Sequence, residues 1–283
     1  MSRLPIIGTL AGALLIGGCA GPDLRAPGSE LPGGPTVWDF SDPAAPLAAT
    51  TGTAVMGFWD PQASGWGSRV VFDQASKLSL PTIDGKDFRV MRVPALRPTE
   101  GFSLKRHGRP NGMFRAQGYV SNYTLVFDLL LPSGRRGSYA SLLQTDPANR
   151  SDADFCADRR DPPRIGIGGN YFGALEPGAW HRVALAVQAA NGSGGTGQFQ
   201  MFIDGGFVGG MRTPDTGPLN RWALGPEFLL LTDNDGETSE FFLKSILFND
   251  RMMSMEEIAA LGGPSSRNAL VPGPPAKPIQ RLA

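Results

Sequence analysis

Cysteine is nearly absent from this chain, with two in 283 residues, Cys19 and Cys156. No disulfide framework can therefore hold the fold, and stability has to come from a packed core. Histidine is as scarce, again two. His107 lies in "LKRHGRPNG" and His181 follows Trp180; neither has a Cys or second His at ligand spacing, which argues against zinc. Charge of one sign is not in excess: 26 Lys and Arg balance 26 Asp and Glu. With no basic block either, nucleic acid is not an expected partner. There is no Gly-x-Ser-x-Gly elbow and no phosphate loop. "GIGGNYFG", from residue 166, lacks the spacing and the following helix, and reads as a strand end and turn. Long apolar runs are missing too. "LPIIGTLAGALLIGG" is too short to span a bilayer comfortably.

What is present in quantity is glycine and proline, 38 and 25 residues, with 41% hydrophobic content. That suits a turn-rich β fold with a sizeable core. Arg3 followed by the N-terminal apolar run and small residues reads as a secretory signal. Its end, "LIGGCAG", resembles the lipobox of bacterial lipoproteins: an aliphatic residue, two small ones, then Cys. The resemblance implies that residues 1–18 are removed and that Cys19 becomes a lipidated N-terminus. Ala rather than Asp at position 20 implies transfer to the outer membrane. Residues 19–35 then form a Pro- and Gly-rich tether, and 266–283 a Pro-rich tail of similar chemistry. Between them no linker of that quality occurs, so 36–265 is read as one domain. Cys156, left without a partner, is expected to be a buried, inert thiol.

Strand signals dominate that domain. "TVWDF", "RVMRVPAL", "SYASLLQTD", "RIGIGG", "WHRVALAVQA", "QFQMFIDGGFVGG", "EFLLLTD" and "FFLKSILFND" follow at short intervals. "YTLVFDLLLP" is apolar on both faces and should be a central strand. "NGSGGTG", residues 191–197, is turn material between antiparallel neighbours. Many short strands with close turns predict an all-β, two-sheet antiparallel jelly-roll sandwich. One short C-terminal helix is predicted where Ser254 and Glu257 form a capping box, "MEEIAAL" follows and Gly262 stops it. It is expected to pack at the edge of the sandwich.

"GAWHRVALAVQAANGSGGTGQFQMFIDGGFVGG" resembles the core of laminin G-like jelly rolls in the concanavalin A-like lectin/glucanase superfamily. The carrying features are Trp180 and His181 at a strand start and the Asp204-Gly205 turn. "FFLKSILFNDRMMSMEEIAAL" is similar as well, with Met253, Ser254, Glu257, Ile258 and Leu261 in the family's places. The likeness covers about residues 36–263. It implies the fold, and for function only that such domains bind glycans, proteins or calcium.

The candidate sites begin with Asp233, Asp235 and Glu237 in "LTDNDGETSEFFLKSILFND". On a strand these alternate residues would share one face. Family-16 glycanases of the superfamily use a Glu-x-Asp-x-Glu strand, and retaining cleavage needs two carboxyl groups roughly 5 Å apart. Here the first acid is Asp, and the intervening Asn234 and Gly236 are turn residues. A polar turn is the first reading, a calcium site the second and catalysis the third. Calcium would need ligands from another loop, and "QTDPANRSDADF", with Asp152 and Asp154, is the natural source. For sugar stacking, the aromatics in loop-like stretches are Trp59, Trp66 and Tyr171, the last beside Asn170. Trp38, Trp180 and Trp222 open strand-like runs and are read as core. The sequence thus points to a lipid-anchored envelope module that binds a polysaccharide or an envelope protein without catalysis. Two alternatives stand beside it: a glycan-cleaving enzyme and a purely structural envelope protein.

Overall fold

The computed structural model describes residues 34–134, 139–189, 197–213 and 221–266. Cys19, the signal segment, most of the tether, the 191–196 turn and the tail from residue 267 lie outside the described residues. The first strands are β1 (Thr36–Trp38), β2 (Val55–Trp59), β3 (Val71–Gln74), β4 (Arg89–Val93) and β5 (Gly101–Lys105). Next come β6 (Asn122–Leu130), β7 (Tyr139–Leu143), β8 (Phe155–Asp158), β9 (Arg164–Ile167) and β10 (Asn170–Phe172). The last are β11 (Trp180–Gln188), β12 (Gly197–Ile203), β13 (Gly206–Thr213), β14 (Glu227–Leu230) and β15 (Phe241–Asn249), followed by α1 (Met255–Leu261).

Every pairing between these strands is antiparallel, as the hairpin-like spacing predicts. The large sheet runs β13-β12-β11-β6-β15-β4-β3, with β1 also paired to β15. The opposite layer has two parts, β10-β9-β8-β7 and β14-β5-β2. Gln144 and Leu229 join them by reciprocal backbone hydrogen bonds of 2.9 Å. The protein is therefore an antiparallel β-sandwich.

The core lies between the layers, where the inward rungs of β6, β11, β12 and β15 meet Phe102, Leu142, Phe155, Ile165 and Phe228. The outer face of the large sheet has a smaller apolar cluster. There Val126, Ala184, Ala186, Phe202 and Leu247 meet Met253 and Ile258. This explains why β6 reads as apolar on both faces: like β15, it is buried on both.

Helix α1 forms as its capping box predicts. Ser254 Oγ accepts from the Glu257 amide, and the Glu257 carboxylate accepts from the Ser254 amide. It packs beside β13, the edge strand of the large sheet, as expected, with Ile258 reaching the outer face near Ala184 and Ala186 of β11. The Trp-His strand and the Asp-Gly turn are tied together. Asp204 (φ 51°) and Gly205 (φ 82°) make the tight left-handed turn between β12 and β13. The Asp204 carboxylate meets His181 Nδ1 at 2.8 Å and accepts from the Arg182 amide at 2.8 Å. Cys156 is buried, and burial pushes its thiol well above the ordinary range, as expected of an unreactive cysteine.

Candidate functional site

The site builds up on the outer face of β7–β10. Ala140, Leu142, Phe155, Ala157, Ile165 and Ile167 point into the core. Alternation therefore sends Tyr139, Ser141, Cys156, Asp158, Arg164, Gly166 and Tyr171 outward. One rung reads Tyr139–Asp158–Arg164, the next Ser141–Cys156–Gly166–Tyr171. Gly166 is needed here: a Cβ on it would lie 1.9 Å from the Asn170 carbonyl oxygen. The backbone of β10 thus comes in above Gly166 and carries Tyr171 over the face.

The result is a stacked tyrosine pair, with Tyr139 and Tyr171 rings 5.7 Å apart and 24° from parallel. The Arg160 guanidinium lies 5.7 Å from the Tyr139 ring centre and donates to its hydroxyl at 3.2 Å. Asp158 holds Arg160 from below with bonds of 2.7–3.0 Å. Burial, followed by neighbouring Cys156, Tyr139 and Glu237, pushes the Tyr171 phenol well up, so this hydroxyl stays protonated.

Along the other side of β7 runs the 231–238 loop. Ser141 pins it twice: its amide donates to the Glu237 carbonyl at 3.2 Å and its hydroxyl to the Thr232 carbonyl at 2.6 Å. The turn needs left-handed backbone at Gly236 (φ 90°). Its organiser is Asp233, which is 0% exposed. That carboxylate accepts from the amides of Ala153 at 2.6 Å, Asp235 at 3.1 Å and Glu237 at 3.3 Å. Burial works to raise its pKa, but these bonds and one from the Asp235 side chain win, and it is lowered. Asp235 is raised, first by that shared hydrogen bond with Asp233 and then by burial. Glu237 is pushed up to about 6 by burial and by Asp233, Asp235, Asp152 and Asp158.

The three acids do converge, with carboxylate oxygens within 4.8 Å of one another. Their chemistry is unequal, however. Asp233 spends both oxygens on backbone donors, leaving Asp235 and Glu237 open, with exposed Asp152 beside them. Calcium takes about six to eight oxygens, and with one oxygen from each open acid this set supplies three. Asp154 does not contribute. It is buried, pairs with Arg221 at 2.5 Å and accepts from the Thr145 amide at 2.6 Å. Burial raises its pKa to about 6, against the pull of Arg221.

A groove of about 1100 Å³ continues past the loop, lined by Tyr119, Arg150, Asp152, Arg221, Glu227 and Asn234. Of the other residues singled out, Asn170 is exposed at the start of β10, next to Tyr171. Trp66 is not available for stacking. It is 3% exposed, packs edge-on against Phe58 and Phe102, and donates its indole N–H to the Trp59 carbonyl at 3.0 Å. The apolar surroundings and the satisfied indole make it core. Trp59 is partly exposed but ends β2, at the far edge of the layer from β10. Trp38 and Trp222 are core as expected, whereas Trp180 is only partly buried and packs on Phe88. Tyr139, Asp158, Arg160 and Arg164 were not singled out from sequence. The alternation in "SYASLLQTD" was the available signal for Tyr139.

No protein-family model matches this chain, and no curated protein does. Solved structures give partial matches. Domain 4 of AbnA, a GH43 extracellular arabinanase from Geobacillus stearothermophilus, was solved in complex with arabinotriose. It is 12% identical, with TM-score 0.47, over 82% of this chain and 100% of that one. The botulinum neurotoxin serotype D binding domain is 13% identical, TM-score 0.45, over 80% of this chain and 50% of that one. Trypanosoma rangeli sialidase, in complex with the inhibitor DANA, gives 16% and 0.40 over 61% and 29%. This chain thus spans about half of the toxin domain. The sandwich assignment rests on the chain's own sheet pairing.

Proposed function

We propose that this protein is a non-catalytic glycan-binding module of a bacterial cell envelope, held to the membrane by lipid on Cys19. The observation that carries the binding reading is the Tyr139–Tyr171 pair on an open sheet face, flanked by Arg160 and Glu237. Aromatic rings cover the C–H faces of sugars, while charged groups beside them take the hydroxyls. The adjoining groove gives an extended chain somewhere to continue.

Against the Asp233–Glu237 pair as catalysts stands the fate of Asp233. Glycoside cleavage needs two carboxyl groups facing the substrate. Asp233 is enclosed and fully engaged by backbone amides, which makes it a turn organiser. A glycan-cleaving enzyme is the second reading, favoured by one feature: Glu237 near 6 beside a low Asp233 is the acid–base contrast that such enzymes use. Purified full-length protein on a glycan array should bind at least one polysaccharide class. Tyr171→Ala and Tyr139→Ala should abolish that binding while the fold persists. Unchanged binding in both variants would refute the tyrosine face. Glycan hydrolysis lost in Glu237→Gln would establish the second reading instead.

A further inference from the structure

The opposite layer holds a separate groove of about 690 Å³, on the outer face of the large sheet beside the start of α1. Its walls are the 250–255 segment and a set of side-chain amides. Asn122, Gln188 and Gln198 are register partners across β6, β11 and β12, so they form one outward rung. The next rung is Thr124–Ala186–Gln200, in which Ala186 keeps the floor low between its neighbours. The Asn122 and Gln188 amides make no side-chain hydrogen bond within the described residues, and Gln200 donates only to Gln198, at 3.1 Å.

We infer that this groove is a second binding site, for a neutral polyhydroxylated chain such as an uncharged polysaccharide. Each amide presents a donor and an acceptor together, which matches neighbouring hydroxyls on one sugar. The rung repeats at the strand spacing, about 4.8 Å, so successive amides can serve successive positions along a chain. Met255, 44% exposed, and Met252 offer flexible apolar surface for C–H faces of rings. Arg251 and Glu257 cancel each other through two bonds of 2.7 Å, and the carboxyl left in the lining, Asp250, would repel an anionic chain. Asp250, 4% exposed, also lines the groove and has a buried Oδ1 without a partner among the described residues.

Full-length protein is titrated calorimetrically with cellohexaose, laminarihexaose and xylohexaose, and with a sulfated heparin hexasaccharide as the anionic control. At least one neutral chain is expected to bind. The Asn122→Ala/Gln188→Ala double variant should weaken it tenfold or more, and Gln188→Glu should weaken it while keeping the side chain's shape. Made in the Tyr171→Ala background, which removes the tyrosine face, the same double variant should still weaken the remaining neutral-chain binding tenfold or more. Neutral-chain binding lost only in Tyr171→Ala would support the tyrosine face and overturn the groove. No neutral binding at all, or binding of the sulfated chain alone, would also overturn it. These amides sit at exposed or partly exposed strand ends, so the variants should fold as the parent does.

Discussion

Glu237 carries a folded-state pKa of about 6 against an ordinary 4.5. Between those values the folded protein holds the proton more tightly than the unfolded chain, so the carboxyl's contribution to stability falls as pH rises through that window. Glu237→Gln is therefore expected to stabilise the protein at pH 8 and to be close to neutral at pH 4, as urea melts at both pH values would record. Equal effects at the two pH values would mean that the neighbouring acids do not press on it. Beneath α1 lies a buried ion pair. Arg182 and Asp128 are both buried and doubly bonded at 2.7 and 2.9 Å, with Ser245 also donating to Asp128. Asp128→Ala would leave a buried guanidinium unpaired and should cost about 3–5 kcal/mol in denaturant unfolding.

Among the elements, β10 is the one on which function rests most directly. Three residues long and at a sheet edge, it places Tyr171 only because nothing projects from Gly166. Gly166→Ala should force β10 away at a cost of about 1–3 kcal/mol and weaken glycan binding tenfold or more, without contacting the ligand. Measured affinity and melting of this variant beside Tyr171→Ala would separate displacement from loss of the ring. Wild-type affinity in Gly166→Ala would show that β10 does not need this close approach.

For the molecule as a whole, the two layers face opposite directions, so the tyrosine face and the amide groove would engage separate chains. A tethered module with two such faces would bring envelope polymers together at the membrane. In the proposed reading the attachment depends on Cys19. Cys19→Ser is expected to move the protein from the membrane fraction to the soluble one and to remove the diacylglyceryl mass from the intact protein. Unchanged partition would refute the lipid anchor.

The antiparallel sandwich, its central strand, the capped helix and the buried thiol were legible in the chain. Each follows from local chemistry: alternation, turn residues, a capping box and an unpaired cysteine in an apolar setting. β2, β3, β5, β8 and β10 were not: three to five residues long, as are β1, β4 and β14, each also carries a Gly, Asp or Asn, which reads locally as turn chemistry. The sequence also placed Asp233, Asp235 and Glu237 in a turn before a core strand, and the turn is there. Which acid is enclosed and which is open was decided by the Ala153 amide, 80 residues away along the chain. The same holds for Trp66, whose loop-like surroundings hid its contact with Phe102. It holds again for Tyr139 and Tyr171, brought together by the curl of β10 over Gly166. Local propensity acts over a few residues and can be read directly, whereas exposure and pairing depend on partners distant in the chain, which only the packed sheets bring into contact.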